Sequence, residues 1–399
     1  MRRSQFLAAL AAISLIPAHT SAMSWCANPL IVHEWGVHVF NAQGGTRSGV
    51  SPILPSYFHQ APTRSQAVGG PVRDMPADSG TRFLPVLHFY SPRGMGSGPI
   101  PLGLEVGVPH GHATHWYPQV DAQRSATQAN SAQAADARRA LLAARSERQP
   151  PVFGVGGWPS VGSDPTRQLI WDHLSLTDSP LHSPADEHVP WVDQVRAFDS
   201  ALWVNTLHQS ERFVFYEGDT SEQAPIVITR GPSDAPGHRH LILRNQSADE
   251  VHDVLFLHQE ESAQFGFLVP AIPAGQSAAF VLEEHPIAEL QAMRATWRAR
   301  LIDTHEPSPP TEASWNPCEM TRDPAIPVET ASGHALYAHE VDAILDAWDA
   351  RFFGAGTRIV YRESVSTLDR EMPLSLYTDM YHHIVLRRLG LGLIDEVTF

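Results

Sequence analysis

The chain has 399 residues, a formal net charge of −15 and 43% hydrophobic residues, which is typical of a globular protein of about two domains. Its 28 basic residues are all arginines, so Schiff-base lysines and phosphate-loop lysines are excluded. The acidic balance argues against a nucleic-acid-binding protein, which needs a basic surface.

The first residues have the pattern of an export signal. Arg2 and Arg3 precede an apolar run over residues 6–17 that is too short to span a membrane, and small residues follow at 20–22. We therefore expect residues 1–22 to be a signal peptide and the mature protein to be periplasmic or extracellular. No later segment has the roughly 20 consecutive apolar residues of a transmembrane helix.

The chain contains two cysteines, Cys26 and Cys318, and both follow the predicted signal peptide. In an oxidising compartment a single long-range disulfide between them is the simplest interpretation, and it would contribute ~4–5 kcal/mol in the chain-entropy model. Two free buried thiols are the alternative. Neither cysteine has the helix-start or histidine-paired setting that activates a nucleophile.

The chain divides into regions of different composition. Residues 23–120 form an N-terminal β region, in which short apolar runs are separated by Gly, Pro and Ser. Residues 121–150 are rich in Ala, Gln and Arg and predict a polar helical or mobile insertion. Residues 151–285 have the strand spacing of a β-sandwich. Residues 286–399 predict a helical C-terminal region with a Pro-rich linker over 304–330.

Two helices are predicted in the C-terminal region. The first begins at Pro286, and the second runs from about Gly333 to Phe353, where apolar residues recur at helical spacing and Gly354 ends the helix. A strand is expected after the second helix, whereas residues 378–389 could be helix or strand. The predicted fold is mainly β with C-terminal helices (α+β), built on one or two antiparallel sandwich-like domains.

Histidine is unusually frequent, with 22 residues, and its densest cluster contains His110, His112 and His115. On a strand, His110 and His112 would share one face, and neutral imidazoles held this close can bind Zn²⁺ or another divalent transition metal. The spacing does not match a known zinc motif. A surface loop of solvated histidines explains the cluster equally simply.

A second cluster lies near the start of the predicted mature chain, in the segment His33-Glu34-Trp35-Gly36-Val37-His38. On a strand Glu34 and His38 share one face, and His33 lies on the other. A metal site could take Glu34 and His38 and recruit His112 from a neighbouring strand, and in a hydrolase that also uses His33, Glu34 would instead support the metal ligands or act as a general base. The alternative is a half-buried strand whose polar residues bond to their neighbours.

Two weaker possibilities remain open. A pair of carboxylates could serve glycoside hydrolysis, although sequence does not give their separation. The carboxylate candidates, by residue type alone, are Glu105, Glu217, Asp219, Glu260 and Glu261. Tryptophans such as Trp116, Trp171, Trp191 and Trp203 could form a sugar-binding platform, but buried aromatic residues of a sandwich are the more common explanation.

The segment from His33 to Phe40 resembles a group of secreted bacterial proteins whose mature chains open with a segment close to HEWGTFTS. His33 to Gly36 match that pattern, and Val37 to Val39 replace its Thr-Phe-Thr. Further similar stretches are Leu84–Tyr90, Thr114–Pro118 and Glu211–Tyr216. The resemblance implies no reaction. Because His115 replaces an acidic or amide residue of the group, the resemblance favours His33 and Glu34 as shared site residues.

Two function classes follow, and the first is favoured because it needs no catalytic constellation and the sequence shows no convincing one. The first is a non-catalytic envelope or extracellular protein that binds a polymer, a carbohydrate or a protein through its loops. The second is a secreted metal-dependent hydrolase that uses the N-terminal His/Glu cluster. The metal hypothesis requires His112 to converge with either Glu34 or His38.

Overall fold

The structure is a computed structural model. It describes residues 28–41, 53–61, 80–91, 99–121, 168–220, 222–232, 239–260, 264–282, 287–302, 335–378 and 382–395. The predicted signal peptide, nearly all of the 121–150 insertion, the 304–330 linker, Cys26 and Cys318 lie outside these ranges.

The described residues form seventeen strands and four helices. The strands are β1 (Asn28–Asn41), β2 (His59–Gln60), β3 (Gly80–Tyr90), β4 (Ile100–Gly107), β5 (Gly111–Tyr117), β6 (Gln168–Thr177), β7 (Trp203–Asn205), β8 (Ser210–Glu211), β9 (Val214–Thr220), β10 (Ile226–Arg230), β11 (Arg239–Asn245), β12 (Val251–Gln259), β13 (Gln264–Ile272), β14 (Ser277–Leu282), β15 (Gly356–Arg362), β16 (Leu374–Thr378) and β17 (His382–Asp395). The helices are α1 (Pro190–Arg196), α2 (Ile287–Leu301), α3 (Ala338–Phe352) and α4 (Val365–Glu371). Of the described residues, 52% lie in strands and 20% in helices, so the mainly β prediction is confirmed.

A nine-stranded sheet forms the centre of the fold, in the order β13-β12-β15-β17-β1-β3-β9-β5-β2. β1 and β17 pair in parallel, and the other neighbouring strands are antiparallel. β1 is apolar on both faces at most positions, which is typical of a strand covered on both sides. The sheet therefore has one buried central pair of strands, drawn from the two ends of the described chain.

Each face of the central sheet is covered by a different layer. Helices α1, α2 and α3 pack on one face around Trp35, Phe215 and Trp348, and we call this the helix face. On the opposite face, a five-stranded sheet in the order β16-β4-β6-β7-β8 covers one part, and a three-stranded sheet in the order β10-β11-β14 covers another. We call this second side the sheet face. The packing of sheet on sheet agrees with the predicted sandwich-like architecture.

The predicted C-terminal helices are present as α2 and α3, whereas the short helices α1 and α4 were not expected. Residues 382–395 form strand β17, which resolves the ambiguity over 378–389. The C-terminal region is thus less helical than its sequence suggests, because three strands within it complete the sheets begun by the N-terminal regions. Within the described residues, no helix is long and apolar enough to cross a bilayer.

Candidate functional site

Side chains alternate along β1 between the two faces of the central sheet. Val32, Glu34 and His38 lie on the sheet face, while His33 and Trp35 lie on the helix face. This is the arrangement that a strand over residues 33–38 predicts. The His/Glu cluster is therefore divided between separate environments, each with its own partners.

Glu34 forms a buried ion pair with Arg388 of β17. The guanidinium of Arg388 binds both carboxylate oxygens, with Nη2 2.9 Å from Oε1, and the hydroxyl of Tyr216 donates to Oε1 as well. Burial alone lowers the pKa of Arg388, but attraction to Glu34 outweighs it and raises the pKa above its ordinary value. Because two donors engage the carboxylate of Glu34, this arrangement does not support the general-base role considered for it.

His33 belongs to a buried polar cluster on the helix face. Its Nδ1 lies 2.6 Å from Oε2 of Glu340, a residue in the first turn of α3. The hydroxyl of Tyr90 donates to Oε1 of Glu340 over 2.7 Å, and the backbone N–H of Tyr337 donates to Oε2 over 3.0 Å. His88 lies 3.5 Å from Oε1. Sequence reasoning did not identify Glu340, His88 or this cluster.

Burial sets the protonation of the same cluster. It lowers the pKa of His88 to about 4, against a smaller opposing effect of Glu340. Burial raises the pKa of Glu340, but His33, His88 and the hydrogen bond from Tyr90 together outweigh it, so that the pKa falls to about 2. At neutral pH the cluster thus contains an ionised carboxylate and a neutral His88. It links α3 to β1 and β3.

The histidines at 110, 112 and 115 lie far across the sheet from β1, because β3 and β9 separate β5 from β1. His110 is exposed in the turn before β5. His112 lies opposite Asp219 in the register of β5 and β9. Nδ1 of His115 lies 2.7 Å from Oε2 of Glu217.

The strand register also fixes the face on which His112 lies. In the strand pairing His112 lies opposite Asp219, Asp219 opposite Thr81, and Thr81 opposite Val39. Paired residues have their side chains on the same face of a sheet, so His112 lies on the helix face with Val39. His38 occupies the opposite face. The convergence of His112 with His38 or Glu34 that the metal hypothesis requires is therefore absent from this structure, and the predicted ligands do not form one centre.

His38 has a different set of neighbours, which sequence reasoning did not identify. Its Nδ1 lies 3.2 Å from Oε1 of Glu363 and 3.6 Å from Oε2 of Glu222, and its Nε2 lies 3.1 Å from Oγ1 of Thr220. One ligand atom from each of His38, Glu222 and Glu363 falls within 4.8 Å of the other two. Among the described residues this group is the one that could hold a metal ion. Glu222 and Glu363 lie just after β9 and β15, where no periodic pattern marks them.

The weaker candidates are mostly buried. Trp171, Trp191 and Trp203 are packed in the core, and Trp116 is half-buried, so they do not form an exposed sugar platform. Trp171 and Trp191 also donate their indole N–H groups to backbone carbonyls. Among the carboxylates, Glu105 and Glu217 are buried. The exposed large apolar residues in the described ranges are aliphatic, namely Ile53, Leu181, Leu207, Val227, Val281 and Ile287.

Comparison with known proteins gives no assignment. No protein-family model matches the chain, and no curated protein matches its sequence. Among solved structures, the yeast δ-COP μ-homology domain in complex with a Dsl1 WxWxV peptide matches with 9% sequence identity and a TM-score of 0.32. That alignment covers 93% of this chain and 97% of the other. At this TM-score the likeness supports no conclusion about fold or function.

Proposed function

We propose that this chain is an exported, non-catalytic binding protein whose partner docks on two loops at one edge of the five-stranded sheet. The observation that supports this is a pair of exposed leucines. Leu181, in the loop after β6, is 58% exposed, and Leu207, in the β7–β8 turn, is 79% exposed. Contiguous exposed apolar patches mark interaction surfaces, and the two leucines lie on adjoining loops.

The two loops are held together by one buried amide, that of Asn205. Its Oδ1 accepts hydrogen bonds from the backbone N–H of Leu181 (3.0 Å) and from the hydroxyl of Ser210 (2.6 Å). Its Nδ2 donates to Oγ1 of Thr177 (2.7 Å) and to the carbonyl of Ser175 (2.9 Å). Loops fixed in this way lose little conformational entropy on binding, which favours affinity.

The chemistry of the surface favours a protein partner over a polysaccharide. The exposed side chains are aliphatic, whereas sugar-binding surfaces generally need exposed aromatic rings or convergent polar groups. Each leucine is followed by a histidine, His182 or His208, so the patch has a polar rim beside its apolar centre. We therefore propose an envelope or extracellular protein with a complementary apolar patch as the partner.

Site-specific photo-crosslinking in the native host tests this surface. A photoreactive amino acid at position 207 is expected to give a discrete adduct with one protein, and the adduct should disappear when Leu181→Ser is added. Position 53 is a matched control, because Ile53 is 77% exposed but lies outside the two loops. Equal adducts from positions 207 and 53, or none from 207, would refute the proposed surface.

Export is a separate part of the proposal, supported by the pattern of residues 1–22. Purification of the protein from the native host and N-terminal sequencing should show a mature chain that begins at Met23. Recovery of the full-length chain in the cytoplasm would contradict export without affecting the crosslinking result, so that the two parts can fail independently.

A further inference from the structure

We infer that His38, Glu363 and Glu222 form a binding site for one divalent transition-metal ion, with Zn²⁺ as the best fit. The three residues come from distant parts of the chain and meet on the sheet face of the central sheet. His38 is fully buried, Glu363 is nearly so, and Glu222 is 20% exposed. The site is thus anchored in the interior and reaches solvent on the Glu222 side.

The two distances measured from Nδ1 of His38 match those of a zinc coordination shell. Zn²⁺ binds imidazole nitrogen and carboxylate oxygen at about 2.0–2.2 Å, so neighbouring ligand atoms of a tetrahedron lie about 3.4 Å apart. Nδ1 of His38 lies 3.2 Å from Oε1 of Glu363 and 3.6 Å from Oε2 of Glu222. The two carboxylate oxygens lie within 4.8 Å of each other, so a single ion contacts all three atoms once the Glu222 side chain moves slightly inward.

The second nitrogen of the imidazole supports this assignment. Metal-ligating histidines commonly donate their other ring N–H to an oxygen, which fixes both the tautomer and the ring orientation. Nε2 of His38 lies 3.1 Å from the hydroxyl oxygen of Thr220, at the end of β9. With the proton on Nε2, the lone pair of Nδ1 is directed toward the two carboxylates. This is the tautomer that a metal ion between the carboxylates selects, whereas without a metal Nδ1 can carry the proton and donate it to Glu363.

Both carboxylates are positioned by neighbouring groups. The backbone N–H of Glu363 donates to the carbonyl of Gly390 over 2.8 Å, and Oε2 of Glu363 packs where a Cβ at position 390 would be, 2.5 Å away. Glycine at 390 is therefore required for the carboxylate to occupy this place. On the outer side, Arg370 lies 3.6 Å from Oε1 of Glu222, which leaves Oε2 directed toward His38.

The donor set selects the class of ion. One nitrogen and two carboxylate oxygens are few ligands for Ca²⁺, which takes six to eight oxygens, and an imidazole is a poor ligand for Mg²⁺. Three protein ligands leave a fourth tetrahedral position for water or for a group of a bound molecule. This site uses His38 from the predicted ligands but replaces His112 and Glu34 with two acidic residues, and it does not depend on the proposed loop surface.

Isothermal titration of the chelator-treated, full mature protein with ZnCl₂ tests the site. We expect one Zn²⁺ per chain, and we expect Glu222→Gln to weaken binding by more than about 10-fold, because even groups beyond the ligands change metal affinity 10–100-fold. The glutamine keeps the shape of a partly exposed side chain, so the fold should be preserved. His38→Gln tests the buried ligand in the same way, with circular dichroism to confirm folding.

The control is Glu217→Gln, which removes the carboxylate from the His115–Glu217 pair, where one histidine faces one acid. This variant should bind Zn²⁺ as the unsubstituted protein does. The site is refuted if the protein binds no Zn²⁺, if Glu222→Gln binds it unchanged, or if Glu217→Gln loses it equally. Any of these results leaves His38 and Glu363 as an ordinary hydrogen-bonded pair.

Discussion

Charged side chains inside the central sheet are stabilised by partners from distant segments. Glu34 is paired with Arg388, and Glu340 is paired with His33, and both pairs are buried. Removing a charged group from water costs several kcal/mol, which only a well-placed opposite charge and further hydrogen bonds offset. Deleting one member of such a pair should therefore be far more damaging than deleting one member of a surface pair.

Arg388→Met tests this difference. The substitution leaves Glu34 buried without its cation, and we expect the free energy of unfolding to fall by about 3–5 kcal/mol. Arg294→Met breaks the surface pair between Arg294 and Asp349, for which the loss should stay below about 1 kcal/mol. Urea denaturation of both variants gives the comparison. Similar losses in the two variants would show that Arg388 contributes no more than a surface charge.

The buried imidazole of His88 makes stability depend on pH. In the unfolded chain a histidine takes up a proton near pH 6.5, whereas burial lowers the pKa of His88 to about 4 in the folded protein. Between these values the unfolded state binds more protons, so stability falls as the pH decreases from 6.5 to 4. The shift corresponds to roughly 3 kcal/mol.

His88→Leu should remove this part of the pH dependence. The difference in unfolding free energy between pH 7 and pH 4 is expected to be about 3 kcal/mol smaller in His88→Leu than in the unsubstituted protein. His188→Leu, at an exposed position, should leave the difference unchanged. Denaturant titrations at both pH values measure it. An unchanged pH dependence in His88→Leu would mean that His88 does not stay neutral in the folded protein.

The residue pattern predicted part of this arrangement. The alternation along β1 correctly placed His33 on one face and Glu34 with His38 on the other, because side-chain direction in a strand follows from sequence spacing alone. It did not reveal Glu340, Arg388 or Glu363. These partners lie hundreds of residues away along the chain, and only the tertiary fold brings them to β1.

At the scale of elements, strand β17 needs a glycine at position 392 to pack against its neighbour β15. Gly392 pairs with Tyr361 of β15, and the tyrosine ring lies over the glycine so closely that a Cβ at 392 would fall 1.9 Å from Cζ. An aromatic ring that covers a glycine on the neighbouring strand shields the backbone of the glycine and fills the space that a side chain would occupy. The contact joins β17, the parallel neighbour of β1, to β15 on its other side.

Gly392→Ala should therefore be strongly destabilising. The added methyl group must displace a buried ring, and we expect a loss of about 3 kcal/mol in the free energy of unfolding. Gly266→Ala is the control. There a Cβ would lie 2.6 Å from its nearest neighbour, a terminal methyl of Leu290, and a rotamer change can relieve that contact at about 1 kcal/mol. Equal losses would show that the ring of Tyr361 moves freely.

Elements differed in how readily the sequence predicted them. Helices α2 and α3 carry apolar residues at helical spacing, and both are present. β17 was ambiguous, because a strand buried on both faces has no polar–apolar alternation and its run of Leu and Gly fits either structure. The short helices α1 and α4 contain seven residues each, too few to show a periodic pattern.

At the scale of the whole molecule, the two ends of the described chain meet in the central sheet. β1 pairs with β17 along all 14 residues of each strand, so the fold cannot be completed until the C-terminal segment is available. Composition divided the chain into successive regions, whereas the central sheet takes strands from the N-terminal, middle and C-terminal parts. Sequence order alone does not contain that pairing.

A second long-range connection is predicted between Cys26 and Cys318, which lie outside the described residues. Cys26 precedes β1 closely. Cys318 lies in the segment between Ile302 and Leu336, whose ends meet in a parallel bridge. Next to that bridge, the ring of Tyr337 lies 4.5 Å from the ring of His33 on β1. The described residues that flank the segment containing Cys318 therefore lie beside β1.

Thiol titration of the unfolded mature protein tests this pairing. We expect no free thiol before reduction and two after it, and reduction should lower the free energy of unfolding by about 4–5 kcal/mol, because the unfolded chain gains the freedom that the cross-link removed. The double variant Cys26→Ser with Cys318→Ser should match the reduced protein and should not respond to reductant. Two free thiols in the untreated protein would contradict the disulfide. The β1–β17 pairing would then hold the two ends of the described chain together without a cross-link.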